Sequence, residues 1–137
     1  MPIIPGTHGL KEAVGEFDFA VDGGAVSTIT LRSPAGLSTG NDIPAGSVIV
    51  DGYIEVDTAF TSADSTATVA VNSQGAGDLL AAAAVSGAPW STTGRKAIIP
   101  VGTTATSVKT TAARSIAFTI AVQALTAGKG RVVVFYR

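Results

Sequence analysis

Residue types able to do chemistry are few in this chain. Asp51, Glu55 and Asp57 fall within seven positions and share one parity, so on a strand they line one face. Two carboxylates can serve as acid and base on a glycosidic bond, and several in series can hold calcium. The spacing lacks the Asp-x-Asp-x-Asp-Gly run of a calcium loop, and the row reads as a polar outer strand face. If it has a task, that task is to pair with Arg or Lys of a partner. His8, the one histidine, lies between Thr7 and Gly9, where nothing rigid holds an acid or nucleophile beside it. Gly75-Ala76-Gly77 has no Lys-Ser/Thr after it and makes no phosphate loop. Ser91-Thr92-Thr93 and Thr103-Thr104 lack a basic partner. Trp90 and Tyr53 are the candidates for a sugar-stacking platform. A single tryptophan after a proline also fits a hydrophobic plug or an interface anchor. The expectation is no enzyme, with no catalytic residue, no cofactor and no metal ligand.

The elements that must position these residues are short and β-rich. Residues 1–12 form an expected extended N-terminal arm marked by Pro2, Pro5, Gly6 and Gly9. The arm is either a frayed terminus or a strap for a neighbouring subunit, with Ile3, Ile4 and Leu10 as anchors. Residues 13–137 form one expected domain. Glu16 to Val21 alternates, with Phe17, Phe19 and Val21 on one face. Asp22-Gly23-Gly24 then predicts a hairpin to a second strand over Ala25–Arg32. Val48 and Val50 keep phase with Ile54 and Val56, which predicts one long bent strand across Asp51-Gly52 rather than two. Thr66–Asn72 points Val69 and Val71 inward. Asp78–Val85 suits either a strand or a short helix capped by Asp78. Ser86–Lys96 reads as a loop around Trp90, and Ala97–Val101 and Thr106–Thr110 as short strands. Ser115–Gln123 places Ile116, Phe118, Ile120 and Val122 on one face. Ala127-Gly128-Lys129-Gly130 reads as a turn before Val132–Tyr136, a central strand apolar on both faces. Eight or nine short strands with frequent turns predict an all-β fold: an antiparallel β-sandwich, jelly roll or small barrel.

Bulk composition narrows the class. A length of 137 residues suits one domain with a real core. Charged residues make up 14%, against a typical ~25%. A surface of Thr, Ser, Gly and Ala is consistent with lying against other protein. Nine basic and ten acidic residues are spread along the chain, without the basic patch a nucleic-acid binder needs. The absence of cysteine excludes disulfides, thiolate metal sites and thiol catalysis. No apolar run of about 18 residues exists to span a membrane as a helix. The first residues lack the basic and long apolar regions of a signal peptide, so synthesis in a cytoplasm is expected.

Two segments carry a family resemblance. Ile43-Pro44-Ala45-Gly46-Ser47-Val48-Ile49-Val50-Asp51-Gly52-Tyr53-Ile54-Glu55-Val56-Asp57-Thr58-Ala59-Phe60 opens on a Pro-x-Gly turn. Leu125-Thr126-Ala127-Gly128-Lys129-Gly130-Arg131-Val132-Val133-Val134-Phe135-Tyr136 repeats the plan. Together they resemble small virion proteins of tailed bacteriophages, above all capsid decoration, or cement, proteins. The resemblance implies a β-sandwich or β-tulip-like fold and a homotrimer at threefold or quasi-threefold positions. It implies binding to the major capsid protein on the outer capsid surface, and no enzyme activity. Gly75–Thr111 matches nothing in it. The expected capsid or subunit interface is Ile3, Ile4, Pro5, Leu10 and Trp90. The main alternative is a receptor- or glycan-binding module of a phage fibre or spike, working through Trp90.

Overall fold

The computed structural model describes residues 10–35, 40–98 and 108–137. Nine strands are found among them: β1 (Lys11–Asp18), β2 (Ser27–Thr30), β3 (Val48–Ser62), β4 (Thr68–Asn72), β5 (Leu80–Ala84), β6 (Gly94–Ala97), β7 (Val108–Lys109), β8 (Ala117–Ala121) and β9 (Leu125–Tyr136). A single helical turn, α1, covers Phe19–Asp22. The strands form two antiparallel sheets. One has the order β1-β9-β3-β6, with β7 pairing the same edge of β3 as β6; the other has the order β2-β8-β4-β5. The fold is an antiparallel β-sandwich, as the turn spacing predicts.

The core lies between the inner faces of the two sheets. Phe17 of β1 and Phe60 of β3 meet Phe118 of β8 with ring centroids 5.4 and 6.1 Å apart. Trp90 closes this cluster at 4.9 Å from Phe60 and 5.4 Å from Phe118. Ile54 and Val56 of β3 and Val132 and Val134 of β9 face Val69, Val71 and Ile120 of the other sheet. Each fully buried branched or aromatic side chain contributes about 1.5–3 kcal/mol by removal from water. The β3–β9 pairing is the longest in the molecule and forms the spine of the first sheet.

Consecutive strands rarely pair. Only β4 and β5 are neighbours both in sequence and in a sheet. The expected hairpin at Asp22-Gly23-Gly24 is reduced to one antiparallel bridge, Glu16 to Arg32, with reciprocal backbone bonds of 2.8 and 3.1 Å; otherwise β1 pairs β9, and β2 pairs β8 in the other sheet. Local hydrogen bonding ends β1. The Asp18 carboxylate accepts from the Ala20 N–H at 3.0 Å, Asp22 accepts from the Asp18 N–H at 2.9 Å, and Gly23 closes the turn at φ 75°. α1 forms there, and Val21 turns outward at 66% exposure instead of continuing the face of Phe17.

Other readings meet the structure more directly. β3 is one strand of 15 residues with a bulge between Ile49 and Asp51. Asp78–Val85 resolves to a strand, because Leu79 and Val85 are buried and bond to Val71 and Ala67 of the neighbouring segment. Gly94, Arg95 and Lys96, expected within a loop, form β6 together with Ala97 on the edge of β3. Ala127–Gly130 is not a turn but part of β9. Its glycines serve close approach: a Cβ on Gly128 would sit 2.7 Å from the Phe60 ring, and one on Gly130 would sit 2.6 Å from the Glu55 carbonyl oxygen. The expected strand over Ala97–Val101, the Pro100–Gly102 turn, Thr106, and arm residues including His8, Ile3, Ile4 and Pro5 lie wholly or partly outside the described residues. Leu10 is described and is 52% exposed, while Lys11 and Glu12 already belong to β1.

Candidate functional site and its two sheet faces

The three carboxylates singled out by spacing do not converge. Asp51 accepts from the N–H of Gly52 at 2.8 Å. Glu55 forms an ion pair with Arg95 of β6 at 2.9 Å. Asp57 stands beside the bulge that β3 makes between Val56 and Thr58. Among the described residues no group of His, Cys, Asp and Glu is placed to hold a metal ion. The Asp51–Glu55–Asp57 row belongs to a charged sheet face, as its parity predicts.

Strand register builds that face. Glu16 of β1 lies opposite Arg131 of β9, Arg131 opposite Glu55 of β3, and Glu55 opposite Arg95 of β6. Signs alternate across four strands, so every lateral neighbour is an opposite charge. Arg95 also lies 4.6 Å from the centre of the Tyr53 ring. Its guanidinium is pushed above its ordinary value, first by the hydrogen bond to Glu55 and then by the charge of that carboxylate. Beyond this row, a recess of about 260 Å³ is lined by Glu16, Asp18, Asp57, Arg32, Lys129 and Arg131. Arg32 bonds Asp22 at 2.9 Å. The Arg131 Nε is buried without a hydrogen-bond partner.

The outer face of the second sheet is the opposite in character. Alternate positions of β2, β4, β5 and β8 point away from the core, and Thr, Ala and Asn fill them. No charged side chain stands on these strands. Thr119 ties the face together: it shares a hydrogen bond of 3.1 Å with Thr28 and accepts one of 2.6 Å from the Asn72 amide. Small side chains leave a hollow of about 290 Å³ lined by Ala70, Asn72, Ala76, Gly77, Ala81, Ala82 and Thr119.

Trp90 is a correction to the expected interface and to the sugar platform. It is 0% exposed, and its indole N–H donates to the Val69 carbonyl at 3.2 Å. Of the readings a lone tryptophan admits, the plug is the one realised. Tyr53 lies on the outer face of the first sheet, so the two aromatics cannot stack on one ligand. The Trp90 loop is closed by Lys96, whose ammonium donates to the Pro89 and Thr92 carbonyls.

One structural residue escaped the sequence reading and a second, Asp78, was assigned a different task. The Asn41 amide donates to the Leu31 and Ile116 carbonyls at 2.8 and 2.9 Å and accepts from the Ile116 N–H at 2.6 Å. Asp78 accepts from the backbone N–H groups of Ser73, Gln74 and Gly75 at 2.7–2.9 Å, so it caps a loop rather than a helix. Asp78 had a local signal in the surrounding Gly, Ser and Asn. Asn41 had none, because its partners lie 10 and 75 residues away.

No protein-family model and no curated protein matches this chain. Solved structures do share its fold. A chain in the acidic stable capsid of Helicobacter pylori bacteriophage KHP30 superposes with a TM-score of 0.59 at 16% identity, covering 93% of this chain and 86% of that one. A chain in the capsid asymmetric unit of cyanophage Pam1 gives 0.58 at 20% identity, covering 93% and 83%. A chain in the capsid of Ralstonia phage GP4 gives 0.56 at 18%, covering 90% and 81%. At these identities the likeness is one of fold. The coverage also makes each matched chain only slightly longer than this one.

Proposed function

We propose that this chain is a structural protein of a phage virion that adheres to the outside of an assembled capsid and stabilises it. The observation that carries the reading is the shared fold, over nearly the whole length, with chains of three phage capsids. In this proposal the protein is a homotrimer whose partner is the major capsid protein, and residues 1–10 strap it to a neighbour through Ile3, Ile4, Pro5 and Leu10. The described residues support a passive role: Glu55 is held in an ion pair, Asp51 and Asp78 bond backbone N–H groups, and Phe17, Phe60, Trp90 and Phe118 fill the core. Several weak contacts made at once by an oligomer raise overall affinity through effective concentration. That suits a protein whose work is to hold subunits together. The glycan-binding alternative loses its motivating residue with the burial of Trp90.

The test is co-sedimentation with expanded, DNA-free capsids. Full-length protein is expected in the capsid pellet, and protein lacking Met1–Leu10 in the supernatant. If full-length protein fails to pellet, the capsid reading is wrong. If both forms pellet equally, the strap is wrong while the capsid reading stands.

A further inference from the structure

One residue on the surface is costly to the fold in two ways. Val122 links β8 to β9 across the two sheets with φ 72°, and the Gln123 N–H donates to the Ala121 carbonyl at 2.8 Å. That is a γ-turn with positive φ at its centre, a rare and strained form, and worst for a β-branched residue. Val122 is also 72% exposed, the most exposed large apolar side chain among the described residues. A glycine there would relieve the strain, and a polar residue would suit the water. Strain retained at an exposed position points to a role outside the monomer.

The hollow on the outer face of the second sheet has matching chemistry. It is apolar, bordered by Ala70, Ala82, Gly77 and Thr119, and roomy enough for one aliphatic side chain. Its strands carry no charge. Neither do the residues flanking the Val122 tip: Ala121, Gln123 and Ala124. One carboxylate, exposed Asp64, stands beside the tip and accepts from the Gln123 amide at 3.0 Å; docking on the charged first sheet would bring it against Glu16 and Glu55 and desolvate Arg131 as well, whereas the strands of the second sheet set no charge against it. Val122 stays exposed in its own chain, so it does not fill its own hollow.

We propose that Val122 of one copy seats in the Ala70–Ala82–Thr119 hollow of a second copy, a head-to-tail contact between two different surfaces of the same chain. Four strands of about five residues, at about 4.8 Å spacing and about 3.4 Å rise, give a face of roughly 300 Å². This is well below the ~800 Å² per partner of a stable pair. One contact is therefore weak. A closed ring, in which each copy uses its tip once and its hollow once, is what holds. The contact does not depend on capsid attachment, nor on whether the ring closes at three.

Sedimentation velocity on the full chain over a dilution series tests it. Wild type is expected to associate beyond monomer as concentration rises. Val122→Gly and Ala82→Glu are each expected to remain monomeric at the same concentrations. Val122→Gly should at the same time melt at a higher temperature than wild type, which separates a lost contact from a damaged fold. Mixed in equal amounts, the two variants retain one intact tip and one intact hollow per pair. With a single contact and no ring to close, the mixture should stay far below the wild-type mass and form nothing larger than a 1:1 dimer. A wild type that stays monomeric, a variant that keeps wild-type mass, or a mixture that restores wild-type mass overturns the proposal.

Discussion

Asn41 fits no hydrophobic pattern, yet it ties together two strand ends. Its amide satisfies the Leu31 carbonyl and both backbone groups of Ile116, all inside the molecule. Alanine there would leave buried polar groups unpaired. Asn41→Ala is expected to cost about 2–4 kcal/mol, read as a lower urea midpoint at unchanged slope. Gly128 matters for shape instead. Its φ of 149° and the Phe60 ring against it leave no place for a methyl group. Gly128→Ala should destabilise by about 2 kcal/mol or more, seen in the same measurement. Tyr136 responds to pH. Burial, and secondly the charge of Asp42, push its phenol above the ordinary value of 10.0. The folded state therefore holds the phenolic proton more tightly than the unfolded chain does. This stability is complete below about pH 10 and is lost as pH rises through the raised value. Tyr136→Phe should flatten that alkaline fall, and urea midpoints taken from pH 8 to pH 11 would show whether it does.

Among the elements, β9 is bonded on both edges, to β1 and β3, while β2 and β5 each pair on one edge among the described residues. Amide hydrogens of Val132–Val134 should exchange slowest in the molecule, and those of β2 and β5 faster. Equal protection across the two sets would mean the sandwich opens only as a whole. The same elements show what sequence could reveal. The central strand at Val132–Tyr136, the inward Val69 and Val71 and the continuity of β3 were legible, because burial on one or both faces imposes a period on the side chains. Partnership between strands was not. Asp22-Gly23-Gly24 looks like a hairpin, yet the side chains of Asp18 and Asp22 wind the chain into α1 and send it to the other sheet. Gly128 and Gly130 were misread because glycine is needed both for turning and for close packing, and sequence does not separate the two. Val122 continues the alternation of Ile116, Phe118 and Ile120 in sequence and breaks it in space. As for the candidate surfaces, the parity of Asp51, Glu55 and Asp57 exposed the charged face of β3 but only one member, Glu55, of the row that crosses the sheet. Arg131 and Arg95 joined it only through register.

Taken whole, the molecule is two-faced: opposite charges alternate over the first sheet, and small neutral side chains cover the second. The two faces should respond differently to salt. The neutral face sets no charge opposite Asp64, the carboxylate beside the tip, so self-association by Val122 is expected to persist at about 1 M NaCl, where the Debye length is about 3 Å. Contacts made by the Glu16–Arg131–Glu55–Arg95 row would weaken. Sedimentation in low and high salt separates the two, and dissociation by salt alone would assign self-association to the wrong face.

The pairing of β1 with β9 sets Lys11 directly across from Tyr136. A passenger peptide grafted after Arg137 would consequently emerge one strand's width from the root of the segment preceding Lys11. For anyone wishing to display cargo on this scaffold, a graft there would test the proposed N-terminal strap by competing with it.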